Sequence, residues 1–152
     1  MQYKTKTTFT LYSFALVICL LFTICLSNCK KIDNDTQPPK IIMYQPSDSA
    51  KYSLGNDFLV VTTMQDFVSL ASYRYRVFWK DDSTNVSPNP SDTPLNIDKS
   101  EKIQDVNYHI ANISFRITIP INARKGFYNL DVYCYDKAGN EGKNHVLIEF
   151  KD

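Results

Sequence analysis

Histidine and glycine are scarce in this 152-residue sequence, with two of the first and four of the second. His109 and His145 sit in no Ser, Cys or metal motif, so the chain lacks the nucleophile and base that acyl transfer needs. Four glycines, none clustered, leave no phosphate-cradling loop. Paired carboxylates in an apolar setting, the usual acid and base of hydrolysis, are missing too. Together these absences argue against an enzyme. A field of one sign is also lacking. Net charge is +1, and setting aside Lys4 and Lys6 leaves 15 basic against 16 acidic residues from Cys29 onward. A near-neutral domain does not attract a polyphosphate backbone, which excludes nucleic acid as a partner.

Charge is absent altogether from Phe9 to Ser27, and no acidic residue precedes Asp33. Two lysines, then a long apolar run, then small polar residues form the order of a secretory signal. A spanning helix is the alternative, since about 18 apolar residues reach across a bilayer, although Thr8, Thr10, Ser13, Thr23 and Ser27 weaken such a span. Either reading puts the remainder outside the cytoplasm. Leu26-Ser27-Asn28-Cys29 resembles a bacterial lipobox, which implies cleavage before Cys29 and its acylation. The following KKIDNDTQPPK has the composition of a stiff tether. The expected organisation is a signal peptide over 1–28, a tether over 29–39 and a folded domain over 40–152, lipid-anchored to a membrane, the outer membrane being the expected one.

Four cysteines form no disulfide framework on this reading. Cys19 and Cys25 leave with the signal, Cys29 carries lipid, and Cys134 has no partner, so the core alone must hold the domain. Cys25 and Cys29 lie in or beside an apolar run without histidine, which does not suit zinc.

Beyond residue 40 no sustained helical period occurs, and period-two alternation takes its place. Ala111, Ile113, Phe115, Ile117 and Ile119 share one face of a run that Pro120 ends. Tyr73, Tyr75, Val77 and Trp79 alternate with Arg74, Arg76 and Phe78, while Tyr128, Leu130, Val132 and Cys134 alternate with Phe127, Asn129, Asp131, Tyr133 and Tyr135. Val146, Ile148 and Phe150 complete the inward set. The expected fold is all-β, a sandwich of about seven antiparallel strands.

Pro39-x-Ile41-x-Met43-x-x-Pro46, Gly55, Asp66, Leu70-Ala71-Ser72 and Gly126-x-Tyr128-x-Leu130-x-Val132-x-Cys134-x-Asp136-x-Ala138-Gly139-Asn140 carry a resemblance to bacterial immunoglobulin-like domains of surface and adhesin proteins. With the lipobox and the CKK that follows, the chain resembles an immunoglobulin-like lipoprotein of Bacteroidota type. The resemblance implies strands A (40–45), B (57–65), C (71–80), E (110–119), F (126–135) and G (144–151). A short D strand is expected within the polar, Pro-broken 81–108. Strand A then brings the tether in at the end that carries the B–C and F–G loops. The segment 81–108 and the turn 120–125 are expected to face away from the lipid.

Three surfaces carry candidate chemistry. Asp66, Asp136 and Asn140, with Asp33 or Asp35 from the tether, supply oxygens for calcium. The alternative is an ordinary turn, with Asp136 as its cap and Gly139 and Asn140 at positive φ. Arg76, Phe78, Tyr133 and Tyr135, joined by Arg74, Leu147 and Glu149, form an exposed face of strands C, F and G suited to a protein or glycan partner, with Asp131 placed to pair with an arginine. Cross-strand pairing alone also accounts for such residues. Asp48-Ser49-Ala50 and Asp82-Ser83-Thr84 resemble short O-glycosylation signals. The functional expectation is a non-enzymatic, lipid-anchored module that engages a protein or glycan partner, in adhesion or carbohydrate binding, through its distal loops or this face. The alternative is a spacer or accessory subunit of a cell-envelope complex without a ligand of its own.

Overall fold

Alternation of apolar and polar residues buries one side of each strand, and in the computed structural model these buried sides meet between two sheets. Residues 35–81, 93–104 and 109–152 are described; the expected signal peptide, Cys29 and Asp33 lie outside them. Eight strands follow one another: β1 (Lys40–Gln45), β2 (Ala50–Ser53), β3 (Asp57–Gln65), β4 (Leu70–Trp79), β5 (Ile97–Lys102), β6 (Ile110–Thr118), β7 (Gly126–Asp136) and β8 (Glu141–Lys151). One sheet has the order β1-β3-β6 and the other β2-β8-β7-β4-β5. The architecture is an all-β sandwich, as the alternation predicts; strands A and B coincide with β1 and β3, and C, E, F and G fall within three residues of their observed bounds.

Its core is built from both inner faces. Phe58, Val60 and Met64 of β3, together with Ile117 of β6 and the following Ile119, oppose Val77 of β4, Tyr128, Leu130, Val132 and Cys134 of β7, and Ile148 and Phe150 of β8. Phe150 packs 4.3 Å from the Tyr128 ring and 6.3 Å from that of Phe58, and Tyr52 stacks on Phe58 at 4.6 Å. Each such side chain contributes about 1.5–3 kcal/mol on burial, so this aromatic cluster is the densest source of stability. Tyr128 closes the cluster with a hydrogen bond from its hydroxyl to the Arg124 carbonyl, 2.7 Å away.

Three expectations change. A strand does form between 81 and 108, but β5 pairs with β4, matching Val77 to Ile97 and Ser72 to Lys102, rather than with β6 as a D strand requires. β5 also runs back along the sandwich. Thr93 bridges Ala123 at one end, whereas Ile103 donates its N–H to Ala71 O at the other. The 81–108 segment therefore does not all face away from the tether. The third change is β2, which no expected strand covers and which pairs with β8 in parallel. Its four residues are too few to show alternation. Asp48 helps to place it by accepting the Leu147 N–H at 2.9 Å, with the Ser49 N–H on Leu147 O at 2.7 Å.

Residues 35–39 join the sandwich at the end expected of them. Chain direction puts Gln65, Leu70, Ile110, Asp136 and Glu141 at one end of the sandwich, and Pro39 enters there against β8. A Cβ on Gly142 would lie 1.9 Å from the Pro39 carbonyl oxygen. Only a residue without a side chain fits beneath that backbone. Gly142→Ala is expected to destabilise the fold by about 1–3 kcal/mol, the cost of overpacking a rigid contact. Urea unfolding checks it, and an unchanged midpoint would show that Pro39 does not press on β8.

Candidate functional site

The end of the sandwich that receives the tether gathers three carboxylates from distant parts of the chain. Asp35 precedes β1, Asp66 ends the run out of β3, and Asp136 ends β7; one oxygen of each lies within 4.8 Å of the others. This is the one such grouping of acidic, histidine or cysteine side chains among the described residues. Local hydrogen bonds fix each of them. Asp66 Oδ2 accepts the N–H groups of Val68 and Ser69 at 2.9 and 2.6 Å, a tight turn that needs its short acceptor. Asp136, buried, accepts the Asn140 N–H on Oδ1 at 2.8 Å and the Asn140 amide on Oδ2 at 2.7 Å. Asp35 accepts the Gln37 N–H on Oδ1 at 3.0 Å. Its Oδ2 is shut off from solvent and has no hydrogen-bond partner.

The turn reading of Asp136 holds in part. Asp136 does cap it and Gly139 takes φ of +93°, but Asn140 is not among the residues with positive φ. Asn140 also does not offer its oxygen to the cluster. Its amide nitrogen donates to Asp136 Oδ2 and to the Asp35 carbonyl oxygen at 2.9 Å, and two acceptors require the nitrogen on that side. Asn140 therefore holds the tether to the turn, while Asp35 stands with Asp66 and Asp136. Chemically, three hard oxygen donors spread over up to 4.8 Å match the span across a calcium ion with bonds of about 2.3–2.6 Å.

Nearby negative charge is felt inside the core. Burial, joined by the charges of Asp66 and Asp136, pushes the Cys134 thiol up to about 12. A thiol so raised and fully buried is an inert packing group, not a nucleophile. Beside the cluster an open cleft of about 570 Å³ is lined by Gln37, Pro38, Lys40, Gln65, Asp66, Phe67, His109 and Ile110. Sequence reasoning missed this cleft, because it depends on where the tether lies over the end of β3.

Arg76, Phe78, Tyr133 and Tyr135 lie on neighbouring strands of the five-stranded sheet, all half-buried. Registration pairs Ser72 with Tyr135, Arg74 with Tyr133, Arg76 with Asp131 and Phe78 with Asn129. Two carboxylates organise this face. Asp98 of β5 takes both arms of Arg74 and lies 3.5 Å from Arg76 Nε. Arg76 rests over Phe78 at 5.1 Å, and Arg74 and Lys143 lie over Tyr133 at 6.0 and 5.2 Å.

Asp131, expected to be outside and paired with an arginine, is instead buried at 3% exposure. Its partners are Lys143 Nζ at 2.8 Å, the Tyr133 hydroxyl at 2.9 Å and His145 Nδ1 at 2.7 Å. The arginines are drawn away by Asp98, on a strand whose pairing the sequence pattern did not show. Ser49, in the first O-glycosylation-like triplet, is exposed, with φ of +61°; the triplet at Asp82 lies outside the described residues.

Burial pushes the Asp131 carboxyl upward, yet hydrogen bonds from Lys143, His145 and Tyr133 outweigh it and hold the group below its ordinary value of 3.8. A carboxyl depressed on folding stabilises the native state above its unfolded value and loses that contribution as pH falls through the folded value. Stability is therefore expected to drop as pH falls below about 4, with Asp131→Asn less stable by about 1–3 kcal/mol at neutral pH and less sensitive to acid. Denaturation at pH 7, 5 and 3 checks both slopes; parallel slopes would remove Asp131 from the account.

No curated protein matches the chain. Similar solved structures include a DUF4466 family protein from Parabacteroides merdae, at 13% identity and a TM-score of 0.48, where the match covers 71% of this chain and 42% of that one. The sporulation control protein Spo0M from Bacillus subtilis matches at 8% identity and a TM-score of 0.40, over 76% of this chain and 49% of that one. A family 123 glycoside hydrolase from Clostridium perfringens matches at 14% identity and a TM-score of 0.42, over 68% and 23%. The chain spans less than half the length of each of these three. A family model described as a domain of unknown function, DUF4625, matches residues 27–151, and the chain belongs to that family.

Proposed function

We propose that this chain is a non-enzymatic module of the cell envelope, an immunoglobulin-like sandwich held to a membrane by lipid on Cys29 and locked to its own tether by a divalent cation. The observation that carries the lock is Asp35, which stands with Asp66 and Asp136 and has its Oδ2 buried without a partner. A buried carboxylate oxygen without a donor is costly, and a cation relieves it together with the repulsion between three like charges. Calcium suits this donor set, which has no nitrogen or sulfur ligand. Asp35 comes from the tether, Asp66 and Asp136 from the sandwich, so the ion ties one to the other. Its effect is mechanical: Asp35 is held against the sandwich, so only the residues before it link the fold to the anchor.

Calcium titration with thermal unfolding tests this reading. A ligand that binds only the native state adds about 2.7 kcal/mol at a hundredfold excess over its Kd, and extracellular calcium modules bind in the range of about 10⁻⁴–10⁻³ M. The midpoint is expected to rise at millimolar calcium, and Asp35→Asn to remove the rise while the fold persists. No stabilisation at millimolar calcium sinks the cation lock.

A second element of the proposal is recognition of a protein or glycan through the outer face of the five-stranded sheet. The half-buried rings of Phe78, Tyr133 and Tyr135, flanked by the guanidinium groups of Arg74 and Arg76, support it, because such rings stack on sugars or anchor side chains. The competing reading, a spacer without a ligand, rests on Asp98 already holding Arg74 and Asp131 already holding the Tyr133 hydroxyl. Replacing Tyr135 by Ala distinguishes the two, since Tyr133 is bound into the Asp131 network. Retention on a glycan array or by a co-purifying envelope protein is expected to fall at least about tenfold, as for the loss of a contact worth roughly 1.4 kcal/mol. Unchanged retention favours the spacer.

A further inference from the structure

Loop tips in a soluble domain are normally polar, yet the turn between β3 and β4 reads Asp66-Phe67-Val68-Ser69, and Phe67 is 88% exposed and Val68 43%. Ile110, 53% exposed, stands beside them, because the Asp66 N–H donates to the His109 carbonyl at 2.8 Å. Phe67 and Ile110 also border the same cleft. The tip is held out rather than free to fold back: the Asp66 carboxylate accepts the N–H groups of Val68 and Ser69, and Ser69 is buried. Three large apolar side chains thus project from one end of the sandwich.

That end is the one the tether enters. Asp35 lies with Asp66, and five residues separate it from Cys29. Six extended steps span at most about 20 Å, so a lipid on Cys29 keeps a bilayer surface within that distance of Asp35. Ile121, 75% exposed, lies at the opposite end, next to Gly55 and beyond β6. The length of the eleven-residue β7, about 35 Å at 3.2–3.4 Å per residue, separates the two ends.

We infer that Phe67, Val68 and Ile110 form a wedge that seats in the interface of the membrane carrying the anchor, giving the module a second point of attachment. This rests on the proposed acylation of Cys29. Lipid on Cys29 brings this end of the sandwich to the bilayer, where the exposed side chains of Phe67, Val68 and Ile110 leave water on entering the interface. Two points of attachment also constrain the tilt of the sandwich more than one does.

The test uses the full chain, expressed with its signal, purified from membranes and reconstituted into phosphatidylethanolamine and phosphatidylglycerol vesicles containing brominated lipid. Phe67→Trp is compared with Ile121→Trp and with the parent, whose Trp79 gives the background. Intact mass reports acylation of Cys29 in each. With acyl mass present, emission from an indole at position 67 is expected to shift to the blue and be quenched by brominated lipid, while one at position 121 is not. Acyl mass without quenching at 67 overturns the wedge and leaves the anchor standing. Equal quenching at both positions also overturns it, since the chain then lies flat. Absence of acyl mass brings down anchor and wedge together. A blue shift without lipid, accompanied by a dimer in sedimentation, assigns the patch to a second copy of the chain and overturns the membrane.

Discussion

The passage of the Pro39 backbone over Gly142 is the contact on which the tether end of this molecule depends. It brings the start of β1, in the three-stranded sheet, against β8 of the five-stranded sheet, where no ladder joins them. Further along, Asn144 donates to the Ile41 carbonyl at 3.0 Å and closes the same seam. Behind Pro39 the chain can only run along the F–G turn, so Asn140 reaches the Asp35 carbonyl and Asp35 arrives beside Asp66 and Asp136. A side chain at 142 would lift the tether away and scatter the carboxylates. A glycine with no strained φ thus governs a site in which it takes no part.

A different principle organises the sheet face. Asp98 and Asp131 each gather several cationic or hydroxyl groups, but they are not equivalent. Asp98 is exposed enough for water to screen its pairs with Arg74 and Arg76, and pairs of that kind contribute little to stability. Asp131 is buried beneath Lys143, Tyr133 and His145, where loss of one partner leaves a charge that water cannot reach. Stability of the face therefore rests on β7 and β8, while its adaptable part lies toward β5. A partner that competes for Arg74 or Arg76 displaces little, and one that needs Asp131 displaces much.

Much of the fold was legible in the sequence because most strands are covered on one face, so alternation over Ile110–Thr118 or Gly126–Asp136 reports the core directly. β5 was not, because only Ile97 among its six residues is even half-buried; an edge strand that covers so little of the core has no reason to alternate. β2 is four residues long and owes its parallel place to Asp48 and Ser49, contacts that leave no periodic mark. Misplacing β5 hid Asp98, and with it the true partners of Arg74 and Asp131. In the carboxylate cluster, Asp66 and Asp136 could be named from turn positions alone. The choice of Asp35 over Asn140 required the direction of one amide, which depends on backbone carbonyls that sequence does not display.

These ends of the sandwich are built from different materials, and the difference bears on what the tether end requires. At the far end Tyr52, Phe58, Tyr128 and Phe150 interlock, and burial of rings suffices to order the chain. Residues 35–38, at the other end, are ordered with little apolar burial, each at about 1–2 kcal/mol of lost backbone entropy. A hydrogen bond such as that of Asn140 to Asp35 returns only about 1 kcal/mol. Three grouped carboxylates oppose the arrangement further. An ordered tether on an acidic cluster therefore calls for an attraction that neither hydrophobic packing nor neutral hydrogen bonds provide. The proposed cation at Asp35, Asp66 and Asp136 would supply that attraction.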